Sequence, residues 1–366
     1  MFYRAIGIMS GSSLDGLDIC FVEFDEIGGK WTYEIKESAC LPFSTGWNAG
    51  LQSATQLNAR DYMRLHTAFG HYIGEQVNLF IEGNNLQHRV QLIVSHGHTT
   101  FHEPAEKMTG QIGDGAAIAA VTGINVVSDL RAMDIALGGQ GAPIVPIGEK
   151  LLLGDYDFFL NLGGIANISY AGNGAFTAFD ICPANRVLNM LVQEMGHDYD
   201  DGGGFAASGS VDEKLLAALN SQPFYAWLPP KSLANSYGTD IIYPLVKNAG
   251  LSVPDALRTV VEHIAVQIRN AVENINQGEV SPEKQNLLIT GGGAFNEFLV
   301  SRIAALLEPL HIAVEVPDAT LVNFKEALVM ALIGVLRWRE ENNILHTVTG
   351  ASRSSIGGAV WIGQQA

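Results

Sequence analysis

At 366 residues the chain is longer than one hydrophobic core usually grows, so two domains with a cleft between them are the expectation. A composition of 47% hydrophobic and 16% charged residues argues against disorder, and a net charge of −17 with 21 basic residues in no stripe or run argues against a nucleic-acid partner. Three widely spaced cysteines, Cys20, Cys40 and Cys182, lack metal-ligand or redox spacing, and no run of about 18 apolar residues or exported leader occurs, so reduced thiols, no membrane partner and a cytoplasmic location are expected.

Residues 5–9 and 17–22 are short apolar runs flanking Gly11, Ser12, Ser13, Leu14, Asp15 and Gly16, with Asp18 just inside the second run. This predicts a β-hairpin with a tip free of bulky side chains. Glycines and hydroxyls expose donors and carboxylates can hold a hydrated cation, so the tip suits a phosphate with its Mg²⁺; an ordinary polar turn is the alternative. Residues 30–39 alternate as a third strand. Asn58 caps a predicted helix over 59–82, where Tyr62, Leu65, Phe69, Ile73, Val77 and Phe80 recur at helical spacing. Residues 91–95 predict a short buried strand that delivers His96 and His98 to its carboxyl end, where ligand sites of α/β proteins collect. A helix from about Gly115 and a strand over 124–128 follow, and then Asp129, Arg131 and Asp134 leave that strand end together. The Gly-rich run 138–143 is a candidate domain boundary.

The second half echoes the first. Residues 158–162 and 165–170 are apolar strands around Gly163 and Gly164, with Asn167 in the second, and a third strand over 175–179 ends in Asp180. Two similar domains, each with a Gly-containing hairpin tip, are therefore expected. Helices are predicted over about 184–195, 211–220, 239–248 and 255–276. The strand 286–290 then runs into Gly291, Gly292 and Gly293, with a helix starting at Asn296, an arrangement that lets a flat or anionic group approach the backbone. A last helix over 325–340 carries Glu326 at its start, and the tail reads as a loop and a closing strand.

Neither a P-loop nor a Rossmann fingerprint is present. Two Gly-rich tips and a strand–GGG–helix element match the architecture of hexokinase, actin and related ATPases. More specifically, residues 9–18, His96-Gly97 with His102-Glu103-Pro104, residues 111–114, 134–143 and 161–167, and Gly291–Gly293 resemble, in order and over nearly the whole chain, the anhydro-N-acetylmuramic acid kinases. The resemblance implies an α/β fold of two actin/hexokinase-like (ribonuclease H-like) domains around a central nucleotide cleft, with boundaries at residues 1–140 plus about 346–366, and 141–345. It implies ATP and Mg²⁺ as cofactors and a small amino-sugar substrate, 1,6-anhydro-N-acetylmuramic acid, phosphorylated on O6 as water opens the anhydro ring during cell-wall recycling. Asp180 matches the catalytic aspartate that takes a proton from that water. ATP contacts fall on Gly11 to Asp18, Gly163, Gly164, Asn167 and Gly291–Gly293, Mg²⁺ on Asp15, and sugar contacts on His96, Arg131, Asp134 and Glu326. A homodimer stays open.

The chain departs from the family in places. Asp-Thr-Gly-Pro-Gly-Asn is here Asp180-Ile181-Cys182-Pro183-Ala184-Asn185, so two glycines are lost and side chains are expected to intrude beside the base. The family's next Asp is Asn189, and after Ser232 the family's Thr-Gly-Arg-Glu is Leu233-Ala234-Asn235-Ser236. These changes leave a kinase for another amino sugar, or a non-kinase member of the superfamily, as alternatives. His98 replaces a Gln and makes a His98-x-x-x-His102 spacing. That spacing would suit a metal on a helix, which Thr99, Thr100 and Pro104 argue against.

Overall fold

The computed structural model describes residues 1–11, 14–172, 175–229, 231–234, 236–281 and 283–363. Two compact units divide the chain. Unit 1 is Met1–Gly154 with Phe324–Ala366, and unit 2 is Asp155–Asn323.

In unit 1, β1 (Phe2–Ser10), β2 (Gly16–Ile27) and β3 (Lys30–Pro42) form an antiparallel meander. Alternating apolar residues put Ile6, Ile8, Leu17, Ile19 and Phe21 on one face, against Phe69, Ile73, Val77 and Phe80 of the helix Ala59–Gly83. Each such side chain, once buried, contributes about 1.5–3 kcal/mol. That helix starts where Asn58 accepts the N–H of Asp61. β4 (Leu92–Glu103) lies parallel to β1, β5 (Met108–Ile112) folds back on β4, and β6 (Val126–Ser128) is parallel to β4.

Unit 2 repeats the plan with β7 (Phe158–Leu162), β8 (Ile165–Gly172) and β9 (Ala175–Pro183) as the meander and β10 (Gln285–Thr290) and β11 (Ile312–Glu315) as parallel additions. Its core gathers Leu160, Leu162 and Ile168 with Leu257, Val261, Ile264 and Ile268 of the helix Val253–Ile275. A final strand, β12 (Ala359–Trp361), returns to pair with β6 in unit 1. Both sheets therefore share one path, third–second–first–fourth–fifth, as β3-β2-β1-β4-β6 and β9-β8-β7-β10-β11. The expected pair of similar α/β halves is realised as a repeated topology.

The helix Ala319–Trp338 lies so close to β1 that a Cβ on Gly7 would collide with the Ala327 carbonyl, and one on Gly334 would collide with Val94. It is long and apolar enough to cross a membrane by length and composition, yet 72% of the qualifying window is buried inside the protein. It begins six residues before the expected start at 325, which moves Glu326 from the first turn into the body of the helix.

Four strands differ from the sequence reading, among them β5, which was not expected. β4 does not end at Ser95: Gly97, at φ +72°, sits where the pairing with β1 shifts register between Ser95 and His98, and the strand goes on to pair with β5 through Glu103, so His96 and His98 lie within it. β9 runs through Asp180 to Pro183, because a bulge opposite Ala166 and Asn167 keeps Ile181 and Cys182 in the sheet. β11 was not expected, being only four residues long.

Candidate active site

In unit 1 the candidate residues gather around the end of β1, the middle of β4 and the segment after β6. Arg131 follows β6, donating from Nε to His96 Nε2 at 2.8 Å and from Nη1 to the Gly141 carbonyl at 2.5 Å. This fixes the tautomer of His96, since the acceptor nitrogen must be bare and Nδ1–H therefore donates to the Gly97 carbonyl at 2.9 Å. Burial, then the Arg131 charge, pushes the His96 pKa down to about 3. Burial also lowers Arg131 to about 10, opposed by the carboxylates of Glu326 and Asp134. The Nη2 amine of Arg131 has no partner among the described residues and remains for a ligand.

Asp134 is fully buried and both its oxygens are engaged. Oδ2 accepts the Gly141 N–H at 2.8 Å and Oδ1 the Thr349 hydroxyl at 2.7 Å. It thus ties the Gly-rich run 138–143 and the C-terminal segment into unit 1, and a Cβ on Gly139 would strike its carboxylate. Glu326 is raised by burial, against the nearby charges of Lys325 and Arg131. Lys325 itself closes a buried ion pair with Glu149 at 2.9 Å.

At the first hairpin, Gly11 follows β1, and Leu14 donates its N–H to the Gly11 carbonyl at 3.3 Å while standing at φ +60°. That left-handed conformation is unusual for a leucine. Ser12 and Ser13 lie outside the described residues. Asp15 is exposed in the turn, and Gly16, Leu17 and Asp18 begin β2. Burial raises the Asp18 carboxyl, while a hydrogen bond from Cys40 across the β2–β3 ladder opposes the shift. Ser10 Oγ shares a 3.2 Å hydrogen bond with His98 Nδ1, and both residues are buried. His102 instead contacts Thr109 Oγ1 at 3.2 Å, and among the described residues no group of three or more His, Cys, Asp or Glu could hold a metal ion.

In unit 2, Asp180 stands opposite Asn167 across β8 and β9. Its backbone N–H donates to the Lys231 carbonyl at 3.0 Å, and its Oδ2 accepts the Leu233 N–H at 2.8 Å. Oδ1 has no partner among the described residues. Burial raises the Asp180 pKa, and the Leu233 N–H partly offsets this. A carboxylate held by one oxygen, with the other open and an upward-shifted pKa, has the properties of a general base. The loop that positions it is braced by Lys231, whose Nζ lies 4.6 Å from the Phe224 ring centroid and donates to the Phe224 carbonyl. Ile181 and Cys182 do not intrude beside the base. They are 2% and 0% exposed and belong to the unit 2 core, because the bulge turns both inward.

The glycines divide into two kinds. Gly291, at φ +81°, and Gly293 are demanded by the fold: a Cβ on the first would strike Asn161 Oδ1, and on the second would come 2.7 Å from Leu162 Cβ. Gly163, Gly164 and Gly292 have no such need. None has a positive φ, and the nearest neighbours of an added Cβ lie at 3.5, 3.6 and 3.8 Å. The carbonyls of Gly163 and Gly164 accept the N–H groups of Asn185 and Ala184, fastening the tip to the start of the helix Asn185–Gln193. An added Cβ at any of these three would meet only ordinary van der Waals contacts, so the fold does not require glycine there, and bare backbone at such positions suits a ligand pressed against it. The Leu233 N–H, Lys231, Asn185 and Arg186 were not singled out in the sequence. Their only signal was nearness to Asp180 and to the Pro229–Ser232 motif.

The family model described as anhydro-N-acetylmuramic acid kinase matches residues 3–363. The protein of that name from Coxiella burnetii (strain RSA 493 / Nine Mile phase I) is 34% identical, covering 99% of this chain and 98% of the relative. The one from Sulfurovum sp. (strain NBC37-1) is 35% identical, covering 98% and 99%. Among solved structures, the activator of 2-hydroxyisocaproyl-CoA dehydratase from Clostridium difficile with bound ADPNP aligns over 90% of this chain and 93% of that one, with a TM-score of 0.44 and 14% identity. The full-length match to the family model and relatives above 30% identity place this chain in the anhydro-N-acetylmuramic acid kinase family, as a phosphotransferase acting on an alcohol group.

Proposed function

We propose that the chain transfers the γ-phosphoryl group of ATP to O6 of 1,6-anhydro-N-acetylmuramic acid while water opens the anhydro ring, giving N-acetylmuramic acid 6-phosphate. The observation that carries the reading is Asp180, with one oxygen held by Leu233, the other open, and its pKa raised. Its Oδ1 takes a proton from the water that attacks C1. The C1–O6 bond breaks, and O6 accepts the phosphoryl group as ADP leaves. General-base help of this kind is worth about 10²–10⁴-fold.

The glycines that the fold does not require, Gly163, Gly164 and Gly292, suit a nucleotide laid against bare backbone, and Gly11 to Asp18 offer the hairpin donors of unit 1. Asn167 and Gly291–Gly293 complete the ATP contacts of this reading. The exposed Asp15 carboxylate suits Mg²⁺, which takes one or two carboxylates besides phosphate and water. Bound there, Mg²⁺ would neutralise charge on the phosphates. His96 orients Arg131, whose Nη2 faces the lactyl carboxylate of the sugar. Asp134 holds the segment around Arg131, and Glu326 completes the sugar side. The inward burial of Ile181 and Cys182 places two of the changed side chains in the unit 2 core, which supports the anhydro sugar over a different one.

ADP release measured with Mg²⁺ and a panel of 1,6-anhydro-N-acetylmuramic acid, N-acetylmuramic acid and N-acetylglucosamine tests this reading. Turnover confined to the anhydro sugar supports it. Turnover of another amino sugar in its place, or none, contradicts it.

A further inference from the structure

We infer that Arg186 is a direct contact for the phosphate chain of the nucleotide, an assignment that rests on the proposed use of ATP. Arg186 lies in the first turn of the helix Asn185–Gln193, whose preceding N–H groups are fastened to the carbonyls of Gly163 and Gly164 at 3.1 and 2.9 Å. Its side chain runs along this tip: Nε, Cβ and Nη2 lie 3.6, 3.7 and 3.9 Å from where a Cβ on Gly164 would sit. The guanidinium thus packs beside the bare backbone of Gly164 at the hairpin tip.

Arg186 Nε is buried with no hydrogen-bond partner. A buried donor on a charged group is costly to leave unmade, which marks a place where an acceptor belongs. Arg258 Nε is also buried and unpartnered, but that guanidinium stacks on Phe298 with 4.7 Å to the ring centroid. Arg186 has no such stacking, and among the described residues it makes no ion pair although the chain carries 38 Asp and Glu. In a protein of net charge −17, a cation left unpaired beside bare backbone recruits an anion. The planar guanidinium fork matches phosphate oxygens in pairs.

The test is equilibrium binding of ATP, ADP and adenosine to the full chain as wild type, Arg186→Met and Arg186→Lys. Arg186→Met should weaken ATP and ADP on the order of 10–100-fold and leave adenosine unchanged. Arg186→Lys keeps the charge but loses the fork and should fall between, and it decides the matter if the methionine variant does not fold. Equal ATP affinity in wild type and variants, or an equal loss for ATP and adenosine, overturns the assignment while leaving ATP use intact. A wild type that binds neither ATP nor ADP overturns the nucleotide reading and this inference with it.

Discussion

Alanine substitutions across Gly291–Gly293 should separate what the fold needs from what the ligand needs within three consecutive residues. At Gly293, the new Cβ would sit 2.7 Å from Leu162 Cβ and 2.9 Å from Asn185 Oδ1, well inside the 3.5–4.0 Å at which carbon atoms attract. Overpacking of this kind costs about 1–3 kcal/mol. Gly291 adds a left-handed backbone at φ +81°, about 1–2 kcal/mol more for an L-residue. At Gly292 the nearest atom is 3.8 Å away and φ is ordinary, so alanine should be neutral or stabilise by about 0.4–1 kcal/mol through the unfolded chain. For a domain of this size each kcal/mol moves Tm by about 2–4 °C. Melting of the apo protein should therefore show clear losses for Gly291→Ala and Gly293→Ala and none for Gly292→Ala. Titration with a fluorescent ATP analogue should show Gly292→Ala weakened at least about tenfold, near 1.4 kcal/mol. A Gly292→Ala protein that melts as early as Gly293→Ala, or that binds ATP like wild type, would refute the reasoning.

Asp180→Asn should bind ATP normally and lose about 10²–10⁴ in turnover. Because burial raises the pKa of this group, the acid limb of wild-type kcat/KM should fall at a higher pH than an ordinary carboxylate would give; a limb at the usual carboxylate position contradicts that environment. Asp134→Ala leaves the buried Gly141 N–H and Thr349 hydroxyl without acceptors, costing roughly 2–5 kcal/mol. Calorimetry should show an early melt, and an unchanged Tm would remove the tie described for the 138–143 run. His263 is fully buried between Tyr225 and Asn220, with its pKa lowered to about 3. The unfolded chain binds its proton first, so the stability this residue confers is complete above about pH 6.5 and is lost as pH falls towards 3. Urea midpoints between pH 7 and 4 should flatten in His263→Gln by up to about 1.4 kcal/mol per pH unit, and an unaltered slope contradicts the buried neutral ring.

The repeated meander was legible because both units carry the same local signs, alternating strands around a tip poor in bulky side chains. What escaped depends on pairing between distant segments. Nothing near Ser95 announces that β4 continues, since its extension exists only through pairing with β5 beyond the register shift at Gly97. Asp180 reads as a strand end because no local pattern announces the bulge after it, and that bulge buries Cys182 instead of aiming it at the base. The run 138–143 looks like a boundary by its glycines, yet Asp134 holds it inside unit 1. Arg186 carries no sequence signal beyond its nearness to Asp180. Its meaning comes from lying against Gly164, twenty-two positions earlier, a neighbour that only the fold supplies.

The central claim is that phosphorylation and hydrolysis are joined at Asp180. Mass spectrometry of the product formed from ATP, Mg²⁺ and 1,6-anhydro-N-acetylmuramic acid tests it directly. The account predicts a sugar heavier by one phosphoryl group and one water in wild type, with no such product from Asp180→Asn. A product that gains phosphate without water, or one that the asparagine variant forms equally fast, contradicts it.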